Sequence, residues 1–125
     1  MYELVVETDF AAAHNIREYG GNCERLHGHN WKVRVGLRAR RLDRLGMVMD
    51  FRDVKARLSE VLKALDHQYL NEIEPFRTSN PTTENIARFI CERLMKGLPK
   101  GVSVGKVTVW ESERCAASYA PERKK

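Results

Sequence analysis

Residues 31–39 read WKVRVGLRA, in which Trp31, Val33, Val35, Leu37 and Ala39 alternate with Lys32, Arg34, Gly36 and Arg38. Successive side chains of a strand point to opposite faces, so this period of two predicts a strand with one buried and one solvated face. A little further on the period changes. Phe51, Val54, Leu58, Val61, Leu62 and Leu65 fall at helical spacing, predicting a helix from about 51 to 65 with Asp50 as its N-cap. A half-buried strand followed by an amphipathic helix points to helices covering a sheet.

The remaining segments extend the pattern. YELVVETDFAAAH, residues 2–14, is rich in Val, Phe and Tyr and reads as a strand, with Gly20–Gly21 as the turn signal beyond it. RLDRLGMVMD, 41–50, reads as a turn into a short extended piece, and DHQYLNEIEPFRTSNP, 66–81, as a connection of turn-forming composition. Thr82 then caps a second helix with Glu84 in its positive first turn. Ile86, Phe89, Ile90 and Leu94 form its stripe, and Gly97 and Pro99 stop it. VSVGKVTVWES, 102–112, alternates again, and CAASYA, 115–120, serves as a closing strand. With no linker or repeat, the order predicts one α+β domain over residues 1–125. Two helices pack on one face of an antiparallel sheet.

Composition narrows the class. A chain of 125 residues, 42% hydrophobic and 31% charged, can bury a real core and reads as soluble and globular. No run approaches the roughly 18 apolar residues of a membrane span, and the acidic start MYELVVETDF does not resemble a signal peptide. Three cysteines, an odd number, argue against a secreted disulfide framework, so a cytoplasmic setting is expected. The net charge of +5 and pI near 9.3 fit a solvated basic face, attraction for a small phosphorylated anion, or nucleic acid. The dense basic runs RARR (38–41) and ERKK (122–125) are not interleaved with aromatics, so nucleic acid ranks last.

Chemistry concentrates in NCERLHGHN, residues 22–30, with His14 just upstream. In extended backbone His27 and His29 project to the same face, and Gly28 leaves their approach clear. A hairpin of the first two strands brings His14 beside them. Three imidazoles with no obligatory fourth protein ligand describe a catalytic zinc site with an open position; imidazole also suits iron, copper or nickel. The same residues allow a closed structural site with Cys23 as fourth ligand, or ordinary hairpin histidines with no ion. Cys23 is then a ligand, or a thiolate favoured by a nearby cation.

Other candidates stand apart. His67 follows Asp66, a pairing that suits a proton shuttle and equally a histidine at a helix C-terminus. Glu111 closes the apolar face of Val107 and Val109. It needs an arginine or a ligand with paired N–H donors, such as the amidine edge of a flat heterocycle. Cys91 reads as a core residue, and Cys115 has no assigned role.

FAAAH, CERLHGHNWKV, MVMDF, LDHQYLN, NPTTENIA and VWES occur in an order that resembles the 6-pyruvoyltetrahydropterin synthase family. The likeness runs from about residue 3 to 119, and the C-x3-H-G-H spacing is similar to its bacterial 6-carboxy-5,6,7,8-tetrahydropterin synthase branch. The resemblance implies a tunnelling fold, with two helices on a four-stranded antiparallel sheet. It further implies a homo-oligomer, hexamer or tetramer, with active sites between subunits. The implied substrate is 7,8-dihydroneopterin triphosphate. By the same resemblance His14, His27 and His29 match the Zn²⁺ ligands and Cys23 the catalytic base. Asp66 and His67 match the proton relay, Glu111 the pterin anchor, and Thr83 and Glu84 positions near the pterin. The implied reaction yields 6-carboxytetrahydropterin, acetaldehyde and triphosphate for deazapurine (queuosine) synthesis. Pyruvoyl-forming elimination, another side-chain-cleaving reaction on related pterins, and a non-catalytic zinc-stabilised binding module are the alternatives.

Overall fold

The computed structural model describes residues 1–21 and 24–122. Strands β1 (Tyr2–His14) and β2 (His27–Ala39) form a long antiparallel hairpin, followed by helix α1 (Phe51–Leu62) and a two-residue strand β3 (Gln68–Tyr69). Helix α2 (Thr83–Met95) and strands β4 (Val102–Ser112) and β5 (Cys115–Tyr119) complete the chain. The strands make one sheet in the order β3-β1-β2-β4-β5. Among the described residues no helix is long and apolar enough to cross a membrane.

The alternation in β2 sorts its side chains as expected. Trp31, Val33, Val35, Leu37 and Ala39 are buried, whereas Lys32 and Arg34 face solvent on the other side. Val107 and Val109 of β4 join the buried set, paired in register with Val35 and Val33. Leu58 and Leu62 of α1 and Ile86, Ile90 and Leu94 of α2 close over this face. Each large apolar side chain removed from water contributes about 1.5–3 kcal/mol. Opposite Gly36 and Leu37 the β2–β4 register slips, leaving Gly105 unpaired. A Cβ there would lie 2.8 Å from Cδ of Arg38, so the long side chain crosses only because position 105 has none.

Both caps hold. Asp50 accepts the Arg52 N–H at 2.8 Å, and Thr82 Oγ1 accepts the Asn85 N–H at 3.1 Å. Helix α1 is shorter than the stripe: it ends at Leu62, and turns carry the chain on to a fully buried Leu65. Phe51, counted in the stripe, is 52% exposed. Periodicity identifies the apolar face of a helix but not how far the layer beneath it extends.

The sheet also departs from four antiparallel strands. It has five, and β3 runs parallel to β1 through Ala12–Gln68 and Ala13–Tyr69. Two residues show no period, so this strand was illegible. It is set by tertiary bonds: His67, in the left-handed region at φ 59°, donates its N–H to the Ala11 carbonyl at 2.6 Å, while Asp66 Oδ1 accepts the Ala11 N–H at 2.9 Å.

Candidate metal centre

The unbroken β1–β2 register puts His14 directly opposite His27 and Ala12 opposite His29. Strand β2 begins at His27, four residues before its clean alternation, so H-G-H is extended as its spacing requires. The three rings meet edge to face, with centroids 4.5, 5.2 and 4.8 Å apart. The wholly buried Trp31 walls the cluster, 4.9 Å from His14 and 5.1 Å from His29, and its indole N–H donates to the Ala12 carbonyl at 3.2 Å. Glu111 arrives from β4 on the Val107–Val109 face, at an irregularity where the β4–β5 register shifts between Trp110 and Ser112. Bulges commonly re-aim a side chain in this way.

Proton bookkeeping at these rings indicates what the site can take. His14 Nδ1 lies 2.7 Å from the Pro81 carbonyl, and His27 Nδ1 lies 2.7 Å from that of Arg25. A carbonyl only accepts, so each Nδ1 carries the hydrogen and each neutral ring presents a bare lone pair at Nε2. The Nε2 atoms of His14, His27 and His29 lie 3.3, 3.9 and 2.9 Å from one oxygen, Glu111 Oε1. That of His14 is buried without a hydrogen-bond partner, while His29 Nε2 lies at hydrogen-bonding distance from the carboxylate. Burial is the largest influence holding the His14 and His29 rings below the ordinary histidine range, with the Glu111 carboxylate pulling the other way. Acceptors therefore converge where a donor is missing, the setting a divalent cation satisfies. The donor atoms all lie within 4.8 Å of one another. The distances to Oε1 straddle the roughly 3.3 Å edge of a tetrahedron with 2.0–2.1 Å bonds. The residues fit a metal ion, held by the three imidazoles with the Glu111 carboxylate beside them.

Other expected site residues fall at varying distances from this cluster. Cys23 lies outside the described residues. Asp66 Oδ1 is 3.0 Å from His67 Nδ1, so the pair exists, but its imidazole is 81% exposed and lies outside the donor cluster of the three rings and Glu111. His67 instead borders an open depression of about 560 Å³ shared with Ala11, Ala13, Gly28, His29 and Asn30. Thr83 and Glu84 are the first residues of α2, two and three positions past the Pro81 carbonyl that meets His14. Cys91 is a core residue whose thiol burial pushes up to about 11, and Cys115 is exposed. RARR lies at the end of β2 opposite the histidines. Sequence reasoning missed the two fixing carbonyls, the Trp31 wall and the place of Glu111 among the imidazoles. The Pro81 contact spans 67 positions and left no local signal.

An α+β enzyme-sized domain with three histidines converging at one end of a β-hairpin narrows the class considerably. The chain matches the 6-pyruvoyl tetrahydropterin synthase model over residues 3–122 and belongs to that family. It is 38% identical over 129 aligned positions to the 6-carboxy-5,6,7,8-tetrahydropterin synthase of Synechocystis, covering 98% of this chain and 96% of that one. It is 39% identical over 108 positions to the dihydroneopterin monophosphate aldolase of Pyrococcus furiosus, covering 86% and 88%. The solved 6-pyruvoyl tetrahydropterin synthase of Caenorhabditis elegans superposes with a TM-score of 0.86 at 29% identity, covering 97% and 96%. The fold is the tunnelling fold, and the chain is an enzyme, a lyase of pterin chemistry. Membership sets aside the non-catalytic zinc module.

Proposed function

We propose that the protein is a zinc-dependent 6-carboxy-5,6,7,8-tetrahydropterin synthase. It converts 7,8-dihydroneopterin triphosphate and water to 6-carboxytetrahydropterin, acetaldehyde and triphosphate. The observation that carries this reading is the convergence of three Nε2 atoms on one point beside a carboxylate, in a member of this family. His14, His27 and His29 hold the metal. Zinc bound there would supply Lewis-acid polarisation of the substrate's side-chain hydroxyls.

The chain's own groups do the rest. Glu111 accepts the paired N–H donors of the pterin's amidine edge. Its contact with the imidazoles supports a single pocket in which ring and side chain are held together. Cys23, as thiolate, takes and returns a proton at the carbon next to the ring. Asp66 orients His67 through Nδ1, leaving Nε2 free to exchange the other protons. Thr83 and Glu84 border the pterin. Triphosphate leaves by elimination, and cleavage of the remaining side chain releases acetaldehyde.

The exposure of His67 supports a site completed by a second copy, in a homo-oligomer of four or six chains. The cytoplasm and deazapurine synthesis, including queuosine, are the proposed setting. Likeness to the Pyrococcus aldolase favours a second reading, side-chain cleavage of a pterin monophosphate.

Zinc-loaded protein incubated with 7,8-dihydroneopterin triphosphate, read by mass spectrometry and an acetaldehyde trap, tests the proposal. Carboxytetrahydropterin with acetaldehyde is expected. Triphosphate release without acetaldehyde moves the protein to the pyruvoyl-forming reaction, and turnover of the monophosphate alone to the aldolase reaction. A Cys23→Ala variant that binds zinc and turns over fully removes the cysteine from the scheme.

A further inference from the structure

Beyond His14 the chain leaves its strand, yet side chains hold it as a neighbouring strand would. Asn71 Oδ1 accepts the Asn15 N–H at 3.0 Å, and Asn71 Nδ2 donates to the Asn15 carbonyl at 2.9 Å. Asn80 treats Arg17 in the same way, accepting its N–H at 2.9 Å and donating to its carbonyl at 3.1 Å. The Arg17 guanidinium reaches back across the same loop. It donates to the carbonyls of Phe76 at 2.6 Å, Asn71 at 3.2 Å and Ser79 at 3.3 Å. From the first turn of α2, Asn85 Nδ2 donates to the Asn80 carbonyl at 2.8 Å. The fastened loop ends at Pro81, whose carbonyl meets His14 Nδ1.

We infer that Arg17 and Asn80 are positioning residues of the metal centre, fixing the Pro81 carbonyl on His14 and through it the tautomer that ring presents. This rests on the metal reading proposed above. Pro81 stands just before the N-cap Thr82, so its carbonyl is outside the helical ladder and free to be aimed elsewhere. Imidazole holds its hydrogen on either nitrogen. Only a carbonyl kept at Nδ1 commits Nε2 to be the lone pair. Asn80 grips both backbone groups of Arg17 one position before that carbonyl, and Arg17 lies three positions past His14. The two ends of the His14–Pro81 hydrogen bond are thereby tied to each other. Removal of an outer partner of a metal-bound histidine typically lowers metal affinity by about 10–100-fold.

The test uses the full chain as wild type, Arg17→Met, Asn80→Ala and, as a control, Arg77→Ala. Arg77 donates to the Glu72 carbonyl in the same loop, away from His14. Chelator competition gives the Zn²⁺ and Co²⁺ dissociation constants, thermal unfolding reports the fold, and long-range ¹H–¹⁵N spectra of metal-free protein report the His14 tautomer. Arg17→Met and Asn80→Ala, one contact further out than the carbonyl itself, should each bind metal more weakly by up to about 10-fold and show mixed His14 tautomers. Arg77→Ala should match wild type. If Asn80→Ala does not fold, Asn80→Ser, whose single shorter hydroxyl cannot bridge both backbone groups of Arg17, takes its place with the same readouts. Folded variants with wild-type affinity and a pure Nδ1–H His14 overturn the inference. A wild-type protein that binds neither ion overturns the metal reading, while the metal-free tautomer spectra still decide whether Arg17 and Asn80 position the ring.

Discussion

His14, the last residue of β1, and His67, just before β3, solve the same problem differently. Each has Nδ1 set against an oxygen, a backbone carbonyl for His14 and the Asp66 carboxylate for His67, which leaves Nε2 as the working atom. His14 is buried against Trp31, its partner is neutral, and its free nitrogen faces other acceptors. Such a ring is a lone-pair donor waiting for a cation. His67 is 81% exposed, its partner is anionic, and nothing among the described residues covers it. On the proposed reading, environment more than residue type separates the metal ligand from the proton carrier.

Exchanging the fates of the two rings is the hardest test of that contrast. His67→Ala should keep its metal and lose about 10²–10⁴-fold in turnover, as expected for a general acid–base group. His14→Ala should lose the metal itself, measured by chelator competition. A His67→Ala protein stripped of metal, or a His14→Ala protein that retains it, breaks the comparison. The wall of the buried site comes next. Trp31→Ala should destabilise the fold by about 3–5 kcal/mol in urea unfolding. A smaller loss would mean that the rings do not depend on the packing behind them.

Thr82→Ala removes the cap that begins α2 immediately after the Pro81 carbonyl, and should cost about 1 kcal/mol in the same measurement. The smallest effect belongs to the exposed pair. The Ala11 N–H, followed by His67, holds the Asp66 carboxyl below its ordinary range. A carboxyl depressed in the folded state adds stability above its ordinary value, about pH 4, and loses it as pH falls through the depressed value. The difference between wild type and Asp66→Asn should therefore be present at pH 7 and shrink steadily below pH 4. An undiminished gap at pH 3 would detach Asp66 from the ladder to Ala11.

Much of this molecule was legible before its structure, for identifiable reasons. The nine residues from Trp31 to Ala39 carry a period that only a strand can use, and Asp50 and Thr82 are cap residues in front of apolar stripes. H-G-H on extended backbone puts two imidazoles on one side, and a hairpin adds His14. The two-residue β3, the exposure of Phe51 and the end of α1 at Leu62 were not legible. None of them is written in a local period; each depends on which layer lies underneath.

The sequence by itself determined the two helices, the four longer strands, the layered architecture, the three histidines and, through motif order, the family. Those are properties of spacing along the chain, and backbone geometry converts spacing into direction within a few residues. Only the tertiary structure decided that Glu111 touches all three imidazoles, that Trp31 backs them, and that His67 faces solvent. It also decided that a carbonyl 67 positions away chooses the nitrogen His14 can offer a metal. A hydrogen bond to a backbone oxygen is indifferent to the side chain that oxygen belongs to, so no residue type announces it. It exists only once the fold has brought the two chain segments together.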